Sequence, residues 1–213
     1  KVAHHDSAGN AGVIGEGDVQ WMTAASGVLH KEYHEAEWSR KGGLMQMVQL
    51  WVNLPAKYKM SPPKYQPIRR EEFGQAVLPD NGGVVEVIAG SYNGVKGPAS
   101  SFTPIEMYNG RLNKGATLQF SFPKNYNTAL LIIDGNANVN GRFVDTNHLV
   151  VFANDGERVQ VEALDKNTVV LILSGEPLNE PIFPFGPFVM NTKQEILQAY
   201  EDLNSGKFGY LED

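Results

Sequence analysis

The stretch "GVLHKEYHEAEW", Gly27 to Trp38, sets His30, Glu32 and His34 at intervals of two in a chain with only five histidines. In an extended strand, residues i, i+2 and i+4 point to one face, with roughly 6.5 to 7 Å between successive Cα atoms. Long side chains from such positions can converge on one ion. On a helix Glu32 would turn away from both imidazoles, so a three-donor site requires the strand. Two imidazoles and a carboxylate suit iron, manganese or zinc. The same residues also read as a solvated strand-to-loop transition, since "HKEYHEAE" is very polar. Spacing alone leaves both readings open.

The remaining histidines carry weaker signals. His4 and His5 are adjacent, so on a strand they face opposite ways, and they read as exposed residues near the chain start. His148 follows a turn and leads into an apolar run, the place of a strand-start residue. The back half has no cluster comparable to His30–His34. There is no G-x-S-x-G elbow, no P-loop and no H-E-x-x-H. Gly15 and Gly17 do not open a helix after a strand, which argues against a dinucleotide site. Trp21, Met22, Trp38 and Trp51 supply bulk near the candidate site and read as core rather than as a ligand platform.

The elements that must hold these residues are mostly strands. "LQFSF" alternates Leu118, Phe120 and Phe122 with polar residues, and "RVQVEA" does the same with Val159 and Val161. "TALLIID", "HLVVFA" and "TVVLIL" are continuous apolar runs, as in strands buried on both faces. "LMQMVQLWVNL", Leu44 to Leu54, reads as one long strand. "DGN", "VNG", "NDGE" and "YNGR" punctuate the strands with residues that accept positive φ. Many short strands joined this way predict a sandwich or barrel. Its back-half core is expected to contain Leu118, Phe120, Leu130, Ile132, Val150, Phe152, Val159, Val161, Val169 and Leu171. One helix is clear: Thr192 and Glu195 form a capping box, Ile196, Ala199, Tyr200 and Leu203 recur at helical spacing, and Gly206 can end it. "PIFPFGPFVMNT", with its three prolines, is expected to run as irregular chain that buries Phe183, Phe185, Phe188 and Met190. The stretch Leu54–Phe73 holds four prolines and many charges, which fits a linker rather than a central strand. "GEGDVQWMTA" and "NDGERVQVEA" give a faint internal echo of a duplicated fold.

Composition limits the function classes. The chain has 213 residues, 42% hydrophobic and 20% charged, with 22 Gly, 12 Pro and a net charge of -6. The acidic balance argues against a broad nucleic-acid surface, and the basic cluster "KYQPIRREE" is offset by its own acids. The absence of cysteine excludes disulfides, thiolate zinc sites and thiol catalysis, and fits a cytoplasmic setting. No apolar run is long enough to span a membrane, and nothing reads as a signal peptide. The chain opens on Lys1 and reaches "KVAHHDS" at once, which reads as the inside of a sheet. A preceding piece is expected to be missing.

Three blocks, "GDVQWMTAASGVLHKE", "VQLWVNLP" and "SGEPLNEPIFPFGPFVMNTKQEI", resemble the pirin family, and the resemblance covers essentially the whole chain. It implies an all-β fold of two tandem cupin barrels, the first incomplete here, plus a short C-terminal helix. The expected divisions are 1–54 for the remainder of the N-terminal cupin, 55–80 for the proline-rich linker, 81–176 for the C-terminal cupin, and 177–213 for an extension with a helix at about 192–204. In pirins the N-terminal cupin holds one metal, usually iron, through three histidines and a glutamate. The motif G-[IV]-L-H-x-E corresponds here to Gly27, Val28, Leu29, His30, Lys31 and Glu32. The resemblance therefore implies His30 and Glu32 as metal ligands and makes His34 a neighbour. The upstream H-x-H strand, followed by Arg-Gly-Phe, does not occur. An iron (Fe2+) site that is empty or partly filled is expected in this chain.

The resemblance also implies a function. One reading is a quercetinase-type flavonol dioxygenase activity when full length, with Glu32 accepting the substrate hydroxyl proton as catalytic base while also serving as ligand. The other is a regulatory binding protein, a transcription coregulator or metabolic-enzyme partner with a redox-sensitive metal. The implied partner is a flavonol-like small molecule or a protein, with no direct nucleic-acid or membrane contact. A nuclear location would follow only in a eukaryotic host.

Overall fold

In "LQFSF" and "RVQVEA" every second residue is apolar, which buries one face of a strand and leaves the other to water. The structure, a computed structural model that describes residues 1–211, pairs these two runs as antiparallel neighbours, with Leu118 opposite Val161 and Phe120 opposite Val159. In chain order the strands are β1 (Val2–Asp6), β2 (Ala11–Ile14), β3 (Val19–Thr23) and β4 (His30–His34), followed by helix α1 (Ala36–Lys41) and β5 (Lys64–Ile68). Then come β6 (Gly74–Leu78), β7 (Gly83–Ala89), β8 (Ser91–Tyr92), β9 (Val95–Lys96), β10 (Ile105–Leu112), β11 (Thr117–Ser121) and β12 (Asn127–Asp134). They continue as β13 (Ala137–Val139), β14 (Arg142–Val144), β15 (Leu149–Val151), β16 (Arg158–Ala163), β17 (Thr168–Gly175), β18 (Phe183–Phe185) and β19 (Phe188–Met190), and end with helix α2 (Lys193–Asn204). No helix among the described residues is long and apolar enough to cross a membrane.

The chain divides into two units. One is Lys1–Arg70 together with the chain from Leu178, and the other is Glu71–Pro177. The second unit faces a six-stranded sheet, β15-β12-β17-β10-β7-β6, with a four-stranded one, β11-β16-β13-β14. Its core takes residues from both sheets, among them Val85, Tyr108, Leu118, Leu130, Ile132 and Val161, as a cupin barrel requires. Asn140 and Gly141, at φ +49° and +78°, form the two-residue turn between β13 and β14, which is what "VNG" indicates. Most of the expected core residues are buried, with Val150 and Phe152 partly so and packed against the cluster. Val169 is only half-buried. On β17 the pair that enters the barrel interior is Val170 and Ile172, one residue out of step with expectation. A continuous apolar run gives no phase, so its interior face cannot be chosen by alternation.

The first unit holds the three-stranded sheet β2-β1-β4, the ribbon β3–β5 and the hairpin β18–β19. Lys64–Ile68 lies within the proline-rich stretch yet pairs with β3, where Pro67 stands opposite Gln20. In a two-stranded ribbon the missing N–H can face outward. Two expectations are corrected. Leu44–Leu54 forms no strand, and Leu44, Trp51 and Met47 are 93%, 67% and 53% exposed. Its apolar, β-prone residues have no partner strand among the described residues, and propensity without pairing does not make a strand. Conversely, "PIFPFGPFVMNT" is not irregular throughout: Gly186, at φ +57°, and Pro187 turn β18 back on β19. Pro184 is tolerated because this ladder has only two strands. Phe183 and Phe185 stay exposed, whereas Phe188 is half-buried, with its ring centroid 5.1 Å from that of Tyr200 on α2.

The helix α2 follows its sequence signals. Thr192 caps Glu195 N at 3.2 Å, and the Glu195 carboxylate accepts from the Asn191 amide at 3.1 Å. At the other end Lys207 N donates to Asp202 O at 3.0 Å and Gly206 N to Leu203 O at 3.1 Å, a Schellman closure with Gly206 at φ +76°. The short α1 was not expected; Glu35 caps it through Glu37 N and Trp38 N.

Leu130→Ala, at a position with no exposed surface, is expected to lower unfolding stability by about 2 to 5 kcal/mol. Val77→Ala, at an 82% exposed position, should change it by less than about 0.5 kcal/mol. Chemical denaturation of the two variants against the parent chain checks this contrast.

Candidate metal centre

The site begins with a register. In β1 and β4, His4 stands opposite Glu32 and Asp6 opposite His30. Alternate residues share a face, so His4, Asp6, His30 and Glu32 all lie on one side of the sheet, while His5 and Tyr33 lie on the other. The ribbon β3–β5 supplies the facing wall. Gln20 and Met22 are two apart on β3, and Tyr65 is the partner of Met22. The Gln20 amide nitrogen is 3.2 Å from His30 Nε2, and the Tyr65 hydroxyl is 2.5 Å from His4 Nε2.

His30 Nε2 and Glu32 Oε1 are 3.2 Å apart, with side chains 19% and 25% exposed. Two donors bonded to one ion at about 2.1 Å, at angles between right and tetrahedral, stand roughly 3.0 to 3.4 Å apart. The pair therefore fits a shared divalent ion in kind and in spacing. Three buried polar atoms close by have no hydrogen-bond partner: His4 Nδ1, Gln20 Oε1 and His30 Nδ1. Yet no group of three His, Cys, Asp or Glu side chains is placed to hold a metal among the described residues.

The neighbours are held in fixed states. Burial lowers the pKa of His4, the charge of His30 adds to that, and the ring stays neutral near pH 7. For Asp6 burial acts upward, but it is outweighed by the Asn10 side chain and the Asn10 and Ala8 amides, all within 2.9 Å, so its carboxyl lies below the usual range. Asp6 is thus engaged by its own turn. Tyr65 is pushed up by burial and by the charges of Asp6 and Glu32.

The loop ahead of His30 is fixed by the C-terminal tail. Ser7 N donates to Leu29 O at 2.9 Å, Leu29 N donates to Ser7 Oγ at 2.9 Å, and the Ser7 hydroxyl donates to the Phe208 carbonyl. Gly27 sits at φ +117°, and a β-carbon there would fall 2.1 Å from the Phe208 ring. Only glycine satisfies both demands.

Of the residues singled out in the sequence, the structure brings His30 and Glu32 together. His34 is exposed and packs against Trp38, ring centroids 4.8 Å apart. His148 is exposed at the start of β15, in the other unit. Trp21 and Met22 are half-buried, but Trp51 is exposed and is not core. His4 was read as an exposed residue, and this is corrected: it is 2% exposed, beside the Glu32 strand, its ring centroid 6.1 Å from that of His30. Adjacency to His5 concealed it. The signal that finds it is cross-strand pairing, which sequence spacing does not contain.

Comparison with known proteins gives consistent matches. The family described as "Pirin" matches residues 1–52, and "Pirin C-terminal cupin domain" matches residues 107–209. A Pseudomonas aeruginosa protein provisionally assigned as a quercetin 2,3-dioxygenase is 44% identical, over 98% of this chain and 72% of that protein. Human pirin is 36% identical over 98% of this chain and 71% of its own length. A crystal structure of quercetin 2,3-dioxygenase from Acinetobacter baumannii superposes with a TM-score of 0.92 at 43% identity, covering 99% of this chain and 73% of that one.

The lowered pKa of His4 gives a pH dependence. The unfolded chain takes up a proton near pH 6.5, and the folded chain only at lower pH. The contribution is therefore fully present above about pH 6.5 and is lost as pH falls from there to the folded pKa. Denaturation between pH 7.5 and 5 should show a smaller loss of stability for His4→Gln than for the parent chain.

Proposed function

This chain belongs to the pirin family, and from that premise we propose that it is a metal-dependent flavonol dioxygenase of the quercetinase type, with His30 and Glu32 as metal ligands. Relatives of this kind imply a metal cofactor, and iron (Fe2+) is the metal proposed. The observation that carries the reading is the 3.2 Å approach of His30 Nε2 to Glu32 Oε1 amid three buried, unpartnered polar atoms. Buried polar groups are nearly always satisfied, so such a cluster suits a site that receives a ligand.

Bound iron would supply Lewis acidity and a route for redox chemistry with O2. The chain's own residues do the rest. His30 would contribute its Nε2 lone pair, which the Gln20 amide nitrogen, 3.2 Å away, would release to the ion. Glu32 offers one oxygen as a donor, and its other oxygen can take the proton of a flavonol hydroxyl. General-base action of this kind is worth about 10²- to 10⁴-fold in rate. Asp6 is engaged by its own turn, which leaves Glu32 as the carboxylate of this face able to act as base.

With Fe2+ in the buffer, the chain is expected to consume quercetin in air, read as loss of its visible absorbance with matching O2 uptake. Glu32→Gln should lower the rate by about 10²-fold or more. A chain that holds iron but leaves quercetin intact would refute the reading, and so would turnover that survives both Glu32→Gln and His30→Ala.

Two protein donors also predict weak retention. After desalting, elemental analysis should find less than one iron per chain, rising with free iron, and His30→Ala should abolish that rise. Stoichiometric iron that persists in His30→Ala and Glu32→Ala would show that the ligands lie elsewhere.

A further inference from the structure

Tyr65 reaches the candidate centre from β5, outside the sheet that carries His30 and Glu32. Its hydroxyl is 2.5 Å from His4 Nε2, and the two ring centroids are 4.7 Å apart with planes tilted by 33°. His4 has little freedom to move. It is 2% exposed, and opposite it on β2 stands Gly12, where a β-carbon would lie 3.0 Å from Nε2. A phenol bonded to such a fixed imidazole is itself fixed. A tyrosine hydroxyl can donate one hydrogen bond and accept two. With the His4 proton on Nδ1, the hydroxyl donates to Nε2, which leaves its oxygen with acceptor capacity.

The wall around it has a consistent character. Gln20, whose Oε1 is buried without a partner, shares this face of the ribbon with Tyr65, and the Glu32 carboxylate is partly open. Met22, cross-strand neighbour of Tyr65, adds an apolar side chain on the same face of the ribbon. Oxygen acceptors beside an apolar, aromatic face match a flat ligand that presents O–H donors from a rigid ring system. A polyhydroxylated aromatic molecule has that chemistry.

We propose that Tyr65 is a substrate-positioning residue: its oxygen receives a phenolic hydroxyl of a planar polyphenol while its own hydrogen is donated to His4. His4 in turn is a positioning residue that acts through Tyr65. The proposal rests on the flavonol reading of the site above, and adds which residue orients the ring system and how.

The test is a binding titration under argon, with the full chain, excess Fe2+ and quercetin as the probe, followed by absorbance. Tyr65→Phe keeps the ring and removes the oxygen; the quercetin Kd should rise about 3- to 10-fold. Its Fe2+ affinity should stay within about twofold, and unsubstituted flavone, which lacks hydroxyls, should bind parent and variant alike. His4→Gln should give a similar rise, and the double variant no more than the larger single effect, because the two act as one unit. Equal quercetin affinity in Tyr65→Phe and the parent overturns the proposal but leaves the flavonol reading standing. A loss of Fe2+ affinity or melting temperature in step with quercetin binding also overturns it, since the pair would then be structural. A parent chain that takes up iron but binds no quercetin overturns both.

Discussion

The candidate centre depends on one constraint, the register between β1 and β4. A slip of a single residue would carry His4 and Asp6 to the far face of the sheet and leave His30 and Glu32 without their neighbours. Two short-range devices hold that register. The Asp6 carboxylate gathers the Ala8 and Asn10 amides and the Asn10 side chain, which closes the turn into β2. The Ser7 hydroxyl then bonds both the Leu29 amide and the Phe208 carbonyl, so β1, the loop before β4 and the C-terminal tail meet at one oxygen. The motif "HHDS" is therefore a structural anchor as much as a source of chemistry.

Much of this architecture was legible in the sequence. The alternation in "LQFSF" and "RVQVEA" gave the interior face of two strands, "VNG" gave a turn, and Thr192 with Glu195 gave the start of α2. The spacing of His30, Glu32 and His34 offered a metal face as one of two readings, and the resemblance singled out His30 and Glu32, whose side chains stand 3.2 Å apart. What could not be read was set by distant pairing. His4 meets Glu32 only across a ladder, and Tyr65 reaches His4 from 61 residues away. Leu44–Leu54 shows the converse. Its residues favour a strand, and without a partner they form none. Gly186 and Pro187 make the hairpin that three prolines had argued against, since a two-stranded ladder leaves one side of each strand unbonded.

The proline-rich stretch brings Tyr65 into position. Lys59, 5% exposed, donates to Asn53 Oδ1 at 2.6 Å and to Val189 O at 3.0 Å, which ties the approach to β5 onto the C-terminal hairpin. Burial lowers the pKa of this lysine, and the charges of Glu180 and Glu195 work against that. Glu180 also accepts from the Ala56 amide at 2.7 Å and from the Asn191 side chain at 3.3 Å. A flexible linker would let β5 swing. Here charge-assisted bonds fix its start, and its pairing with β3 fixes the rest.

The distribution of unsatisfied groups separates the two units in a way that fold alone does not. Among the described residues, every buried side-chain polar atom without a partner belongs to the first unit, and most lie at the candidate centre. Each such atom costs about 1 to 3 kcal/mol. The second unit buries polar groups too, but pairs them: the Tyr108 hydroxyl bonds Glu106 and the Ser91 carbonyl, and Thr128 meets Ser174 at 2.8 Å. Burial and the Glu106 charge push Tyr108 far above the usual phenol range, so it remains a neutral donor in a closed network. Its barrel is filled by Leu118, Leu130, Ile132 and Ile172. The first unit carries the opposite balance, open valences on His4, Gln20 and His30 around one carboxylate, and a fold retains such a cost where a bound group can remove it.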